Sequence, residues 1–214
     1  MAVEKHITDC MTKDLFEQIN ERREIAKSEN KPILRDKTLE LLLKIAKEKQ
    51  SKRILEIGTN VGLTGVMLLL ELKNAKLTGI EIDEDLAKIA KQNYKDFGVE
   101  NRAKMLLGDA REIIPMLTGS YDLIFLDGPK GQYFEFLPYL KKLLSIGGVI
   151  FADDILFHGY IEGETPRKHI TIKRSIENYL ENIQSDLNFK TKIYDIEDGV
   201  CVSEKQSGKI SGEN

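Results

Sequence analysis

The sequence predicts an α/β fold, a parallel sheet with helices on both faces and an antiparallel hairpin near the C-terminus. Three observations lead there. From Arg53 onward, five short apolar runs (RILEIG, KLTGIEID, AKMLLGD, YDLIFLD and GGVIFAD) alternate with longer stretches of helical periodicity. Alternation of that kind uses helices as crossovers between parallel strands. Asp198-Gly199, a strong hairpin signal, sits between FKTKIYDI and VCVSE. At 214 residues the chain is long enough to bury one generous core without disulfides or structural metals.

In chain order, residues 1–50 read as N-terminal helices. Leu15, Phe16 and Ile19, then Leu39, Leu42, Leu43 and Ala46, recur at helical spacing, and Pro32 separates the two sets. Residues 51–204 form the sheet-bearing core. Between its strands run helical stripes such as Leu86, Ile89, Ala90 and Phe97, and then Phe134, Leu137, Leu140 and Leu144. A polar segment from Phe157 to His169 precedes a helix marked by Ile172, Ile176 and Leu180. Residues 205–214 are polar and Gly/Ser-containing and predict a frayed, disordered tail.

Hydrophobic residues make up 41% and charged residues 31%, the balance of an ordinary globular protein. No apolar run approaches the roughly 20 residues of a membrane-spanning helix. The first residues lack the apolar core of a signal peptide, and the two cysteines, Cys10 and Cys201, lie far apart. A cytoplasmic, reducing setting is the expectation. The net charge of −3 gives no global attraction to nucleic acid or anionic membrane, yet a local basic patch can still bind phosphate. Two basic clusters exist, Arg22, Arg23 and Lys27, and Arg167, Lys168, Lys173 and Arg174; their plainest reading is a solvated helix face.

In an open parallel sheet ligands bind beyond the carboxyl ends of the strands, and the chain places its polar residues there. The first strand ends in Glu56-Ile57-Gly58-Thr59-Asn60-Val61-Gly62. Asn60 and Leu63 stand where a dinucleotide fingerprint needs its second and third glycines, which disfavours a nicotinamide oxidoreductase. The second strand ends in Glu81, placed to accept hydrogen bonds from ribose hydroxyls, and the third in Gly108-Asp109-Ala110, near an adenine amino group. Singly, Asp109 could be a helix N-cap and Gly58 a simple turn; in register at successive strand ends they predict nucleoside binding. The fourth and fifth strands add Asp127, Asp153 and Asp154. Three converging carboxylates without His or Cys suit a hard cation with all-oxygen coordination, magnesium or calcium. Lys130 reaches the same space, or else is a surface lysine or an ion-pair partner for Asp127.

RILEIGTNVGLTG, GIEID, LLGDA, FLDGPKGQY, GGVIFADDILFHGYIEG and IEDGVCVS together resemble the cation-dependent O-methyltransferases, the class I, Rossmann-like family of catechol and caffeoyl-CoA O-methyltransferases. The resemblance covers residues 32 to 204 and is nearest to a bacterial branch that methylates 5-hydroxyuridine in tRNA. It implies S-adenosylmethionine as cofactor, with Glu56, Gly58 and Thr64 along its methionine, Glu81 on its ribose and Asp109 with Ala110 at its adenine. Asp127 borders the cofactor and, with Asp153 and Asp154, matches the ligands of Mg2+ or Mn2+. Lys130 matches the residue that takes the acceptor's proton. One departure is Asp154, where the family usually has asparagine. The acceptor is expected to be tRNA or a catechol-like small molecule, with a silent nucleoside-binding module as the reading outside enzymes. A homodimer is expected by analogy, and no membrane partner.

Overall fold

The computed structural model describes residues 12–157, 159 and 165–207. Cys10, the tail from residue 208, and residues 158 and 160–164 of the polar segment lie outside them. Helix α1 (Lys13–Ser28) starts at Thr12, whose hydroxyl accepts from Leu15 N, and buries Phe16, Ile19, Arg23 and Ala26. Helix α2 (Asp36–Glu48) buries Leu39, Leu42, Ile45 and Ala46. Both pack into the same core as the sheet.

The sheet consists of β1 (Arg53–Ile57), β2 (Lys76–Glu81), β3 (Ala103–Leu107), β4 (Tyr121–Leu126), β5 (Leu144–Ala152), β6 (Phe189–Tyr194) and β7 (Val200–Lys205). Their order is β3-β2-β1-β4-β5-β7-β6. β1 to β5 pair in parallel, while β7 inserts antiparallel between β5 and β6. The predicted fold class is therefore the observed one. Strand order reverses beside β1, and such a switch point opens a crevice above the carboxyl ends of β1 and β4.

Alternate residues of the central strands face two apolar layers. Ile54, Leu123, Phe125, Val149 and Phe151 pack toward α1, α2, α3 (Leu63–Glu71) and α4 (Glu84–Asp96). Leu55, Ile57, Ile124, Leu126 and Ile150 pack toward α5 (Ala110–Ile113), α6 (Tyr133–Leu143) and α7 (Ile170–Ser185). No helix among the described residues is long and apolar enough to cross a membrane.

Two predicted stripes differ in detail. α4 buries Ala87, Asn93 and Tyr94 along with the predicted Ala90 and Phe97, while Leu86 and Ile89 are half-buried against the same core; the buried Asn93 side chain donates to Val61 O. On α6, Tyr133, Phe136, Leu137, Leu140 and Leu143 face the core; Phe134 is exposed and Leu144 already begins β5. Of the first basic cluster, Arg22 and Lys27 are exposed as a solvated face would have them, but Arg23 is buried. Arg22 bonds Asn93 and Asp96, and the buried Arg23 donates to Leu34 O and Asp36, fixing the turn that leads into α2.

The hairpin between β6 and β7 turns through Asp195 to Gly199 with left-handed backbone at Glu197 and Gly199. A Cβ on Gly199 would lie 2.4 Å from Leu156 Cγ, so the turn seats closely on the loop after β5. Backbone bonds from Ile155 N to Gly199 O and from Leu156 N to Asp198 O join the two.

Candidate active site

A cleft of about 730 Å³ opens over the ends of β1, β2, β3, β4 and β5, within the size range of small-ligand sites. Gly58, Thr64, Glu81, Asp109, Ala110, Asp127, Lys130, Asp153 and Asp154 all line it. Glu56, predicted beside them, does not. Residues alternate across a strand, so Glu56 points into the α3 and α4 layer, where one carboxylate oxygen and the Tyr94 hydroxyl both face Gly65. Burial, reinforced by the charge on Asp127, pushes its carboxyl well above the usual range. Its side chain lies buried behind the cleft wall rather than in it.

The β1 loop is shaped by two close approaches. Gly58 has a left-handed φ of 88°, and a Cβ there would sit 2.4 Å from Asp127 O, so only glycine lets the ends of β1 and β4 meet. Asn60, also left-handed, returns its side chain to Val61 N and donates to Pro32 O. Glu81 secures the loop across the cleft. Its Oε2 accepts from Asn60 N at 2.6 Å, and its Oε1 from Ile82 N and Asp83 N at 2.9 and 3.0 Å. A carboxylate offers about four acceptor positions, which leaves capacity for a donor in the cleft. Asp109 caps α5 by accepting from Arg111 N, and its bonds to the Arg111 guanidinium and amide hold its carboxyl below the usual range. The helix-cap reading of Asp109 thus holds alongside its place in the cleft.

At the other end, ligand atoms of Asp127, Asp153 and Asp154 lie within 4.8 Å of one another. Asp127 and Asp153 follow directly from Leu126 and Ala152, which are in register between β4 and β5. The buried Tyr133 hydroxyl shares its proton between Leu126 O at 3.0 Å and Asp153 O at 3.2 Å, clamping those two strand ends. Asp154 has φ 56°, a conformation aspartate and asparagine tolerate better than most residues. Burial, then the charges of Asp127 and Asp154, raise the Asp153 carboxyl to about 8. Its Oδ1 is buried and finds no hydrogen-bond donor. Lys130 Nζ stands 3.1 Å from Asp127 and 2.8 Å from Asp154. Burial disfavours its charge, but Asp127 and Asp154 outweigh that and raise its pKa, so in this arrangement it is an ammonium and not a ready base.

One further side chain reaches the acidic cluster, and a second lies behind it. Arg35, at the N-cap of α2, bonds Asp154 Oδ1 and lines the cleft. Glu197 accepts from Lys37 N, Thr38 N and the Thr38 hydroxyl, capping α2 from 159 residues away. Neither was identified from sequence. The signal available was local: an arginine at a helix N-cap leaves that helix without a side-chain acceptor of its own.

The O-methyltransferase family model matches residues 9–206. The chain belongs to this O-methyltransferase family. Among curated relatives, a catechol O-methyltransferase from Niastella koreensis is 32% identical over 133 residues, 60% of this chain and 59% of that protein. The chain spans about half the length of the first such relatives. Among solved structures, a candidate caffeoyl-CoA O-methyltransferase from Staphylococcus aureus superposes with TM-score 0.81 at 28% identity, covering 87% of this chain and 91% of that one. An O-methyltransferase from Bacillus cereus in complex with SAH has TM-score 0.82 at 20% identity, covering 96% and 98%. Within an O-methyltransferase fold, the Glu81 end and the Asp127, Asp153 and Asp154 end occupy opposite parts of one continuous cleft.

Proposed function

We propose that this chain is an S-adenosylmethionine-dependent O-methyltransferase that uses a divalent metal, with magnesium or manganese held by Asp127, Asp153 and Asp154. The observation that carries the reading is the acidic cluster, because the buried, donorless Asp153 oxygen and its raised carboxyl fit a hard cation with oxygen ligands. S-adenosylmethionine supplies an electrophilic methyl group on a sulfonium, and the cation supplies positive charge that favours the deprotonated form of an acceptor hydroxyl.

The chain's own residues bind and orient. Gly58, Thr64, Glu81, Asp109 and Ala110 form the cofactor's side of the cleft, with Asp127 where the two ends meet. Lys130, already cationic, stabilises negative charge on the acceptor oxygen; it becomes a base only if added positive charge lowers its pKa. Fixing acceptor and donor in one cleft contributes through positioning.

The acceptor in this reading carries two adjacent oxygens. Within that class we favour 5-hydroxyuridine in tRNA, whose 5-hydroxyl adjoins the 4-carbonyl. The supporting feature is Arg167, Lys168, Lys173 and Arg174, at the start of α7 and in the turn before it. That helix lies against the turn bearing Lys130, since a Cβ on Gly131 would be 3.7 Å from Ile172, so phosphates flanking a splayed base would find cations beside the cleft. A small catechol is the second reading, favoured by the name of the Niastella relative. A cytoplasmic homodimer, built on the core at 51–204, completes the proposal. The test is transfer of labelled methyl groups to tRNA containing 5-hydroxyuridine and to a panel of catechols. Turnover on that tRNA, falling as salt rises, supports the first acceptor; turnover on catechols alone supports the second; none on either rejects both acceptors.

A further inference from the structure

The three carboxylates are not equivalently engaged. Asp153 Oδ1 has no donor, and Asp127 meets Lys130 at 3.1 Å. Asp154 is held on both sides, by Lys130 on Oδ2 and by Arg35 on Oδ1. The two cations come from different parts of the chain. Lys130 follows β4, whereas Arg35 arrives from the turn before α2 and has Glu197 3.9 Å from its Nε. Glu197 also caps α2, so Arg35 is flanked by the C-terminal hairpin as well as by the acidic cluster. With Asp153 ionised, as a bound cation requires, three carboxylates faced by two side-chain cations leave one net negative charge; without Arg35 they would carry two.

We propose that Arg35 is a positioning residue that competes with the divalent cation for Asp154 and thereby sets the metal affinity of the site. The inference rests on the metal reading given above. A cation drawing on Asp154 does so against the hydrogen bond from Arg35, while Asp127 and Asp153 are open to it without that contest. The Arg35 side chain is 41% exposed and the Asp154 side chain 23%, so the competition lies between that of a screened surface pair and a buried one.

The experiment is Mn2+ titration of the full chain, reading free Mn2+ by electron paramagnetic resonance, which requires no turnover. Arg35→Met should tighten Mn2+ binding by about tenfold. Arg35→Gln removes the charge but keeps a hydrogen-bonding side chain and should do the same, whereas Arg35→Lys should stay near wild type. In an Asp154→Asn background, Arg35→Met should change affinity by no more than about twofold, because the contested charge is gone. Circular dichroism on each variant separates loss of fold from loss of competition. Unchanged or weakened binding in both Arg35→Met and Arg35→Gln overturns the proposal, and so does an undiminished gain in the Asp154→Asn background. A wild-type chain that binds no Mn2+, or binds it regardless of Asp127→Asn and Asp153→Asn, overturns the metal reading itself. Site-specific binding that is indifferent to Arg35 overturns this inference alone.

Discussion

Glu81→Ala tests how the cleft is held open at the end of β2. The carboxylate is 7% exposed and accepts three backbone hydrogen bonds, one from the β1 loop and two from the turn into α4. Hydrogen bonds to a charged acceptor contribute roughly 1.5–3 kcal/mol each. Three at the lower figure give about 4.5 kcal/mol, and water reaching the vacated amides returns part of it, so the expected loss is about 2–4 kcal/mol. With an m-value of about 2–3 kcal/mol per molar in urea, the unfolding midpoint should fall by roughly 1 M. Glu81→Gln should lose less, since its carbonyl oxygen can keep the Ile82 and Asp83 bonds while its amide faces the Asn60 N–H. Affinity for S-adenosylhomocysteine, read by calorimetry, should drop by about 1.5–3 kcal/mol in the alanine variant from the missing ribose acceptor. An alanine variant with the wild-type midpoint would refute the loop-anchoring argument, and unchanged calorimetric affinity would refute the ribose assignment.

Gly58→Ala should cost at least about 2 kcal/mol, combining left-handed backbone strain with a Cβ placed 2.4 Å from Asp127 O, as read from thermal unfolding; a variant as stable as wild type would mean the β1 and β4 ends separate easily. Chelation with EDTA should abolish methyl transfer, with magnesium or manganese restoring it, and Asp127→Ala should remain inactive under any metal concentration; full activity in EDTA removes the metal from the mechanism. Asp154→Asn should keep activity at saturating metal, because asparagine also accepts the left-handed φ of 56°. The Asp153 carboxyl, near 8 folded against about 3.9 unfolded, binds more protons in the native chain between those values, so its contribution declines as pH rises from about 4 to 8. Urea midpoints of the metal-free chain should show that decline relative to Asp153→Asn, and parallel pH profiles for the two would contradict it.

Much of the fold was legible because its signals are local. Five apolar runs ending in Gly or Asp gave the parallel strands and the cleft's position, and Asp198-Gly199 announced the hairpin. Helix faces were less legible: Asn93 is buried through a bond to Val61 O across 32 residues, and no periodicity of apolar residues contains that. At the site, residues directly following strands were readable, since strand ends converge whatever the side chain. Glu56 was misplaced by one step of strand alternation, which sends it under the sheet rather than into the cleft. Arg35, Glu197 and Tyr133 escaped notice because their roles depend on partners distant in sequence. Lys130 was visible, but its charge state depends on how closely Asp127 and Asp154 flank it.

The cap that Glu197 places on α2 has a bearing on how the chain is made. Thr38 leaves the ribosome 159 residues before its acceptor, a delay of roughly 8–30 s at common elongation rates. During that interval the first turn of α2 has no acceptor for its free amides, and Arg35 has neither Glu197 nor Asp154 to hold it. The rim of the cleft is therefore finished last, when the final hairpin closes on the loop after β5. A nascent chain with its first five strands already paired still lacks the corner that joins its beginning to its end.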